Sequence, residues 1–170
     1  VNVRTPSGIQ VTRNFPPRRP EDIDPGSKGE AGIIHPVMHA GLWMSFGWID
    51  GNDYWRLTSK VKHEGFSGEP VVGRSEASFE TRDRYLSADG EETICIQETH
   101  YHFRHVSEGI LLEWDAKFYN DDRDFIFGDQ EESGLAIRIA SPIRVQGGNG
   151  QIVTRVNHSE PTRQNTRAYF

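Results

Sequence analysis

Ser75-Glu76-Ala77-Ser78-Phe79-Glu80-Thr81-Arg82-Asp83-Arg84-Tyr85 sets Glu76, Ser78, Glu80, Arg82 and Arg84 on even positions and Ala77, Phe79, Thr81, Asp83 and Tyr85 on odd ones. Side chains that alternate with a period of two belong to an extended strand, here with one solvated, charged face. Ala88-Asp89-Gly90-Glu91 then reads as a turn into a second alternating run over 93–105. Ser107-Glu108-Gly109 turns again into a third run over 110–119, where Ile110, Leu112, Trp114, Ala116 and Phe118 form an apolar stripe. Three consecutive strands joined by short turns predict an all-β, antiparallel β-sandwich.

Outward from this centre the same grammar continues. Residues 41–49 (GLWMSFGWI) predict a buried strand, Asp50-Gly51-Asn52-Asp53 a hairpin turn, and residues 54–63 the return strand. Residues 124–127 and 135–145 supply two more expected strands, and a short one is expected within 9–14. Prolines 6, 16, 17, 20 and 25 mark residues 1–30 as a loop-like arm. Residues 1–150 are therefore read as one sandwich domain, and 151–170 as a polar tail or docked arm. A chain of 170 residues is long enough for one substantial core.

Composition narrows the function classes. Nineteen basic residues against 25 acidic ones give a net charge of −6, and no Lys/Arg-rich run stands out, so a nucleic acid is not an expected partner. No apolar run approaches the roughly 18 residues that span a bilayer, so a membrane is not expected either. Cys95 is the only cysteine, which rules out an internal disulfide and a cysteine-rich zinc site. Secreted, periplasmic and cytoplasmic locations all stay open. Phosphate-loop, Gly-x-Ser-x-Gly and His-Glu-x-x-His signatures are absent.

Three constellations could carry chemistry. Along 93–105 the even positions read Ile94, Ile96, Glu98, His100, His102 and Arg104, which projects two histidines from one face toward a shared ligand. Glu113, Asp115 and Lys117 on the next strand would lie across from them if the Ser107–Gly109 turn joins the two. The plainer reading is a solvated face of cross-strand charge pairs. His35 and His39 precede the aromatic strand in a Pro-containing loop, with His63 at the end of the strand after it. Histidines so displayed suit acid–base work or metal ligation, and equally suit hydrogen bonding at a strand end. Third, Gly128-Asp129-Gln130-Glu131-Glu132-Ser133-Gly134 crowds carboxylates between apolar segments, where repulsion raises some pKa values and can supply a general base; an acidic turn is the alternative. Trp43, Trp48, Trp55 and Trp114 offer flat surfaces for sugar rings, or core filling.

His39-Ala40-Gly41-Leu42-Trp43, the later Asp50-Gly51-Asn52-Asp53-Tyr54-Trp55 and Lys62-His63 resemble motifs of an uncharacterised bacterial family often labelled "methane oxygenase PmoA-like". Val11-Thr12-Arg13-Asn14-Phe15-Pro16 and Phe127-Gly128-Asp129-Gln130-Glu131-Glu132-Ser133-Gly134-Leu135, with Arg138 and Ala140, resemble it too, so the likeness covers roughly residues 6–150. Members are usually longer, which implies a fragment or a short divergent form. The resemblance implies a β-sandwich akin to the large sandwiches of sugar mutarotases and polysaccharide lyases. Authentic methane oxygenase subunits are membrane-embedded, so the oxygenase activity is not carried over.

The expected function is therefore carbohydrate-active or carbohydrate-binding. Catalytic candidates are His39, His63, Asp129, Glu131 and Arg138; ligand-binding candidates are Trp43, Trp55, His100 and His102. His35 and His39 are the candidate ligands for a divalent metal, the only cofactor considered. A non-catalytic glycan-binding module and a homo-oligomeric assembly protein are the alternatives. An enzyme predicts that His39 and Glu131 converge, a module predicts exposed coplanar tryptophans, and an assembly protein predicts a tail packed on a neighbouring chain.

Overall fold

The computed structural model describes residues 2–15, 41–130, 132–145 and 148–151. Seven strands run in order: β1 (Leu42–Phe46), β2 (Val61–Phe66), β3 (Val71–Val72), β4 (Glu76–Leu86), β5 (Thr93–Val106), β6 (Gly109–Tyr119) and β7 (Ser133–Ile137). The only helical element among the described residues is a 3₁₀ turn, Ser141–Ile143. Strands β2, β4, β5 and β6 lie side by side in that order, with β3 also on β4, and β1 pairs with β7 in a separate two-stranded sheet. Two antiparallel sheets without an α-helix among the described residues are consistent with the expected β-sandwich.

The chain divides into two compact units, Val1–Trp43 with Ile137–Phe170, and Met44–Ala136. In the first, Arg13 N–H donates to the Arg138 carbonyl at 2.8 Å and Ala140 N–H to the Val11 carbonyl at 2.8 Å. Thr12 and Arg13 are buried there, so this part of the expected loop-like arm is tied into β-bridging with residue Ile139.

In the second unit the core forms where apolar rings from both sheets meet. Ile49, Tyr54, Tyr85, Ile94 and Cys95 are buried, with Phe46, Phe118 and Phe125 packed against them. Phe46 of β1 meets Phe118 of β6 edge-on at 5.3 Å, and Tyr54 meets Tyr85 of β4 at 4.7 Å. The Tyr54 hydroxyl donates to the Leu86 carbonyl at 2.8 Å, so this large ring is buried with its polar end satisfied.

The three central strands occupy the expected positions; the flanking ones are shorter than read. Asp50 (φ 47°) and Gly51 (φ 80°) make the predicted tight turn, closed by the Ile49–Asn52 bridge. Its return strand does not continue through residues 54–60. Asp53 accepts the Arg56 N–H on Oδ1 and the Ser59 N–H on its carbonyl, and these local bonds hold the backbone in turns until β2 begins at Val61. Residues 124–127 form no strand: Ile126 is committed to Asp50, donating to its Oδ1 at 2.8 Å, and only Phe127 bridges to Ile49. The last expected strand is shorter than read: β7 ends at Ile137, Ile139 then bridges to Thr12, and Pro142, which lacks an N–H, lies in the 3₁₀ turn that follows.

Candidate functional site

The strands β4, β5 and β6 are in register over their length, which stacks side chains of one face into cross-strand rows. On the charged face these rows are Glu76–Arg104–Leu111, Ser78–His102–Glu113, Glu80–His100–Asp115, Arg82–Glu98–Lys117 and Arg84–Ile96–Tyr119. The expected juxtaposition of Glu113, Asp115 and Lys117 with the β5 histidines follows from this register.

Most of these charges neutralise one another. Arg104 Nε donates to Glu113 at 3.0 Å, and His102 lies 3.2 Å from Glu113 and 3.4 Å from Glu76. Arg82 donates to Glu98 at 2.8 Å, to Glu64 at 2.9 Å and to the Tyr119 hydroxyl, which itself donates to Glu98 at 2.7 Å. The Tyr119 hydroxyl and then Arg82 hold the Glu98 carboxyl below its usual range. Glu64 is likewise lowered, first by Arg84 and then by Arg82.

One row breaks the pattern. Glu80, His100 and Asp115 make no side-chain hydrogen bond or ion pair among the described residues, although the carboxylates in the rows on either side, Glu98 and Glu113, are paired. His100 has a carboxylate directly opposite it on each neighbouring strand, and its ring stacks on His102 at 6.1 Å. These three side chains line an open cavity of about 460 Å³, with Glu98, Lys117 and Ser67 around them. Among the described residues no three His, Cys, Asp or Glu side chains are placed to hold a metal ion.

The opposite face is mainly aromatic. Phe79, Tyr101 and Trp114 form one row, with ring centroids 4.7 Å and 4.8 Å apart, and Phe66 adds a fourth ring 5.8 Å from Phe79. Two rows further along, His63 donates through Nδ1 to Asp83 Oδ1 at 2.8 Å, while the Thr81 hydroxyl donates to Asp83 Oδ2 at 3.2 Å.

His63, His100 and His102 are thus on one sheet but on different faces. Asp129 is exposed and makes no hydrogen bond or ion pair with His63 among the described residues. Arg138 belongs to the other unit, where its carbonyl and N–H join the backbone ladder. His35, His39 and Glu131 lie outside the described residues. Trp43 and Trp55 are half-buried. Trp48 is the exposed tryptophan among those described, its ring laid against Gly128 so closely that a Cβ there would sit 2.1 Å from it. Sequence reading missed Glu80 and Asp83 as site residues. Asp83 had left a signal, a carboxylate on the apolar side of an otherwise alternating strand.

These features define an all-β protein with an antiparallel five-stranded sheet that bears polar groups on both faces. The chain belongs to the Family of unknown function (DUF6807), whose model matches residues 2–168. No curated protein and no solved structure matches it. Among the described residues no helix is long and apolar enough to cross a membrane.

Proposed function

We propose that the protein binds a carbohydrate or similar polyhydroxylated molecule in the cavity over the Glu80–His100–Asp115 row. The observation that carries this reading is the one row whose carboxylates have no ion pair among the described residues, on a face where Glu64, Glu76, Glu98 and Glu113 are all paired. A carboxylate accepts hydrogen bonds from two vicinal hydroxyls, and a neutral imidazole offers one donor and one acceptor. Glu80 and Asp115 flanking His100 therefore match the dense, alternating donors and acceptors of a sugar edge. Ser67 and Lys117 at the cavity wall add donors. A concave site of this volume suits a ligand of one or two sugar rings. The motif likeness to PmoA-like proteins adds no chemistry to this reading.

The test is binding of the purified protein to an array of neutral and acidic oligosaccharides, followed by calorimetry on the best ligand. Replacing His100 by Ala should weaken that ligand about tenfold or more, since an unmatched buried hydroxyl costs ~1–3 kcal/mol. Binding that survives His100→Ala, Glu80→Gln and Asp115→Asn together would remove the site.

A further inference from the structure

We propose that His63 and Asp83, on the other face of the sheet, form a proton-transfer centre that hydrolyses esters bearing a flat apolar ring. Strand β2 carries a bulge: His63 pairs with Asp83 and Gly65 with Arg82, so Glu64 is the extra residue. Without it, His63 and Phe66, three residues apart, would point to opposite faces. With it, both rings share the aromatic face, edge to face at 6.2 Å, while Glu64 turns to Arg82 and Arg84 on the charged face. Gly65 at φ +131° supplies a backbone conformation that other residues rarely adopt. The bulge therefore aims the histidine.

The histidine is also held. Asp83 uses Oδ1 on His63 Nδ1 and Oδ2 on Thr81, which fixes the imidazole plane and keeps the proton of the neutral ring on Nδ1. Nε2 then carries the free lone pair, on a side chain that is 56 % exposed while Asp83 is 20 % exposed. Behind Thr81, the Tyr101 hydroxyl sits by Thr81 and Thr99. Gln97 Nε2 donates to Thr99 at 2.7 Å and the Tyr85 hydroxyl donates to Gln97 at 2.6 Å. Polar groups thus run from the core to one outward-facing base, and Phe66, 61 % exposed, stands beside it as a platform for a planar ring.

In the step, Nε2 takes a proton from water as the water oxygen bonds to the ester carbonyl carbon. The tetrahedral intermediate then breaks its bond to the leaving oxygen, and Nε2 returns the proton to that oxygen. Ester and water become acid and alcohol, with His63 unchanged. Asp83 is a positioning residue that stabilises the transient imidazolium.

The probe is p-nitrophenyl acetate with the full chain, each variant checked for its melting temperature. His63→Gln should lower kcat/KM about a hundredfold. Asp83→Asn should lower kcat about tenfold with KM unchanged, and Phe66→Ala should raise KM with kcat kept. His105→Gln, at the far end of β5, should behave as wild type. If His63→Gln fails to fold, carbethoxylation of the native protein replaces it: the rate should fall in step with modification of His63 read by mass spectrometry. Nitrophenol release no faster than by free imidazole at equal concentration, or a rate that survives loss of His63, overturns the proposal.

Discussion

The two faces of the five-stranded sheet handle polarity in opposite ways. On the charged face, stability needs only that opposite charges meet across strands, and one row is left unmatched over a cavity. On the aromatic face polar groups are few, and one chain of them is linked from core to surface: Tyr85 to Gln97, Gln97 to Thr99, Thr81 to Asp83, Asp83 to His63; the buried Trp114 indole N–H stands outside it, without a partner among the described residues. The difference follows from solvent. Exposed pairs are screened and each is worth little, so a vacant row costs the fold almost nothing. A buried polar group without a partner costs its whole desolvation, so a network is the less costly way for an aromatic face to keep hydroxyls, an amide and a carboxylate.

That contrast is broken most severely in the core. Tyr85→Ala should cost about 3–5 kcal/mol in urea unfolding, because the ring is fully buried against Tyr54 and Phe118 and its removal leaves a cavity. Gln97→Ala should cost less, about 1–3 kcal/mol, the penalty of stranding the buried Tyr85 and Thr99 hydroxyls. If Gln97→Ala unfolds with the wild-type midpoint, the network does not order that face.

Chemical reactivity and pH sharpen the comparison without a mutation in the core. Burial pushes the Cys95 thiol up to about 12, so a thiol reagent at pH 8 should label it only after denaturation. On the charged face, Glu64 and Glu98 have folded pKa values below their unfolded ones. Their contribution is therefore full above the unfolded carboxyl pKa of about 4.3 and is lost as pH falls through the folded values. Arg82→Ala removes a shared partner of both, so its destabilisation should be clear at pH 7 and should shrink below pH 4. A difference that is constant across that range would mean that Arg82 acts through packing rather than charge.

The rows were legible in the sequence because period two is a property of the backbone. Once Glu80, His100 and Asp115 are each assigned to a strand face, short turns nearly set which of them meet. The bulge was not legible: Gly65 in Lys62-His63-Glu64-Gly65-Phe66 gives no sign by itself of the register it skips. Asp83 was visible as an odd carboxylate on an apolar face, but its partner depended on that skip. Outside the central hairpins, side chains decided the backbone: Asp53 and Asp50 captured the N–H groups of Arg56 and Ile126 that sequence reading had given to strands. His35, His39 and Glu131 fall where neither argument reaches.

The smallest expected effect on stability is the most informative for the charged face. Glu80→Gln and Asp115→Asn keep the shape of each side chain, remove its charge, and break no ion pair among the described residues. Each should shift the unfolding free energy by no more than about 0.5 kcal/mol, as surface substitutions without special partners do. Removing two carboxylates that flank one imidazole also relieves mutual repulsion, so the double variant should be as stable as wild type or slightly more so. Loss of ligand binding from a protein that is no less stable is the signature of a row kept for recognition. A clear loss of stability in either variant would instead mean that the row holds the sheet together, and the contrast between the two faces would fail there.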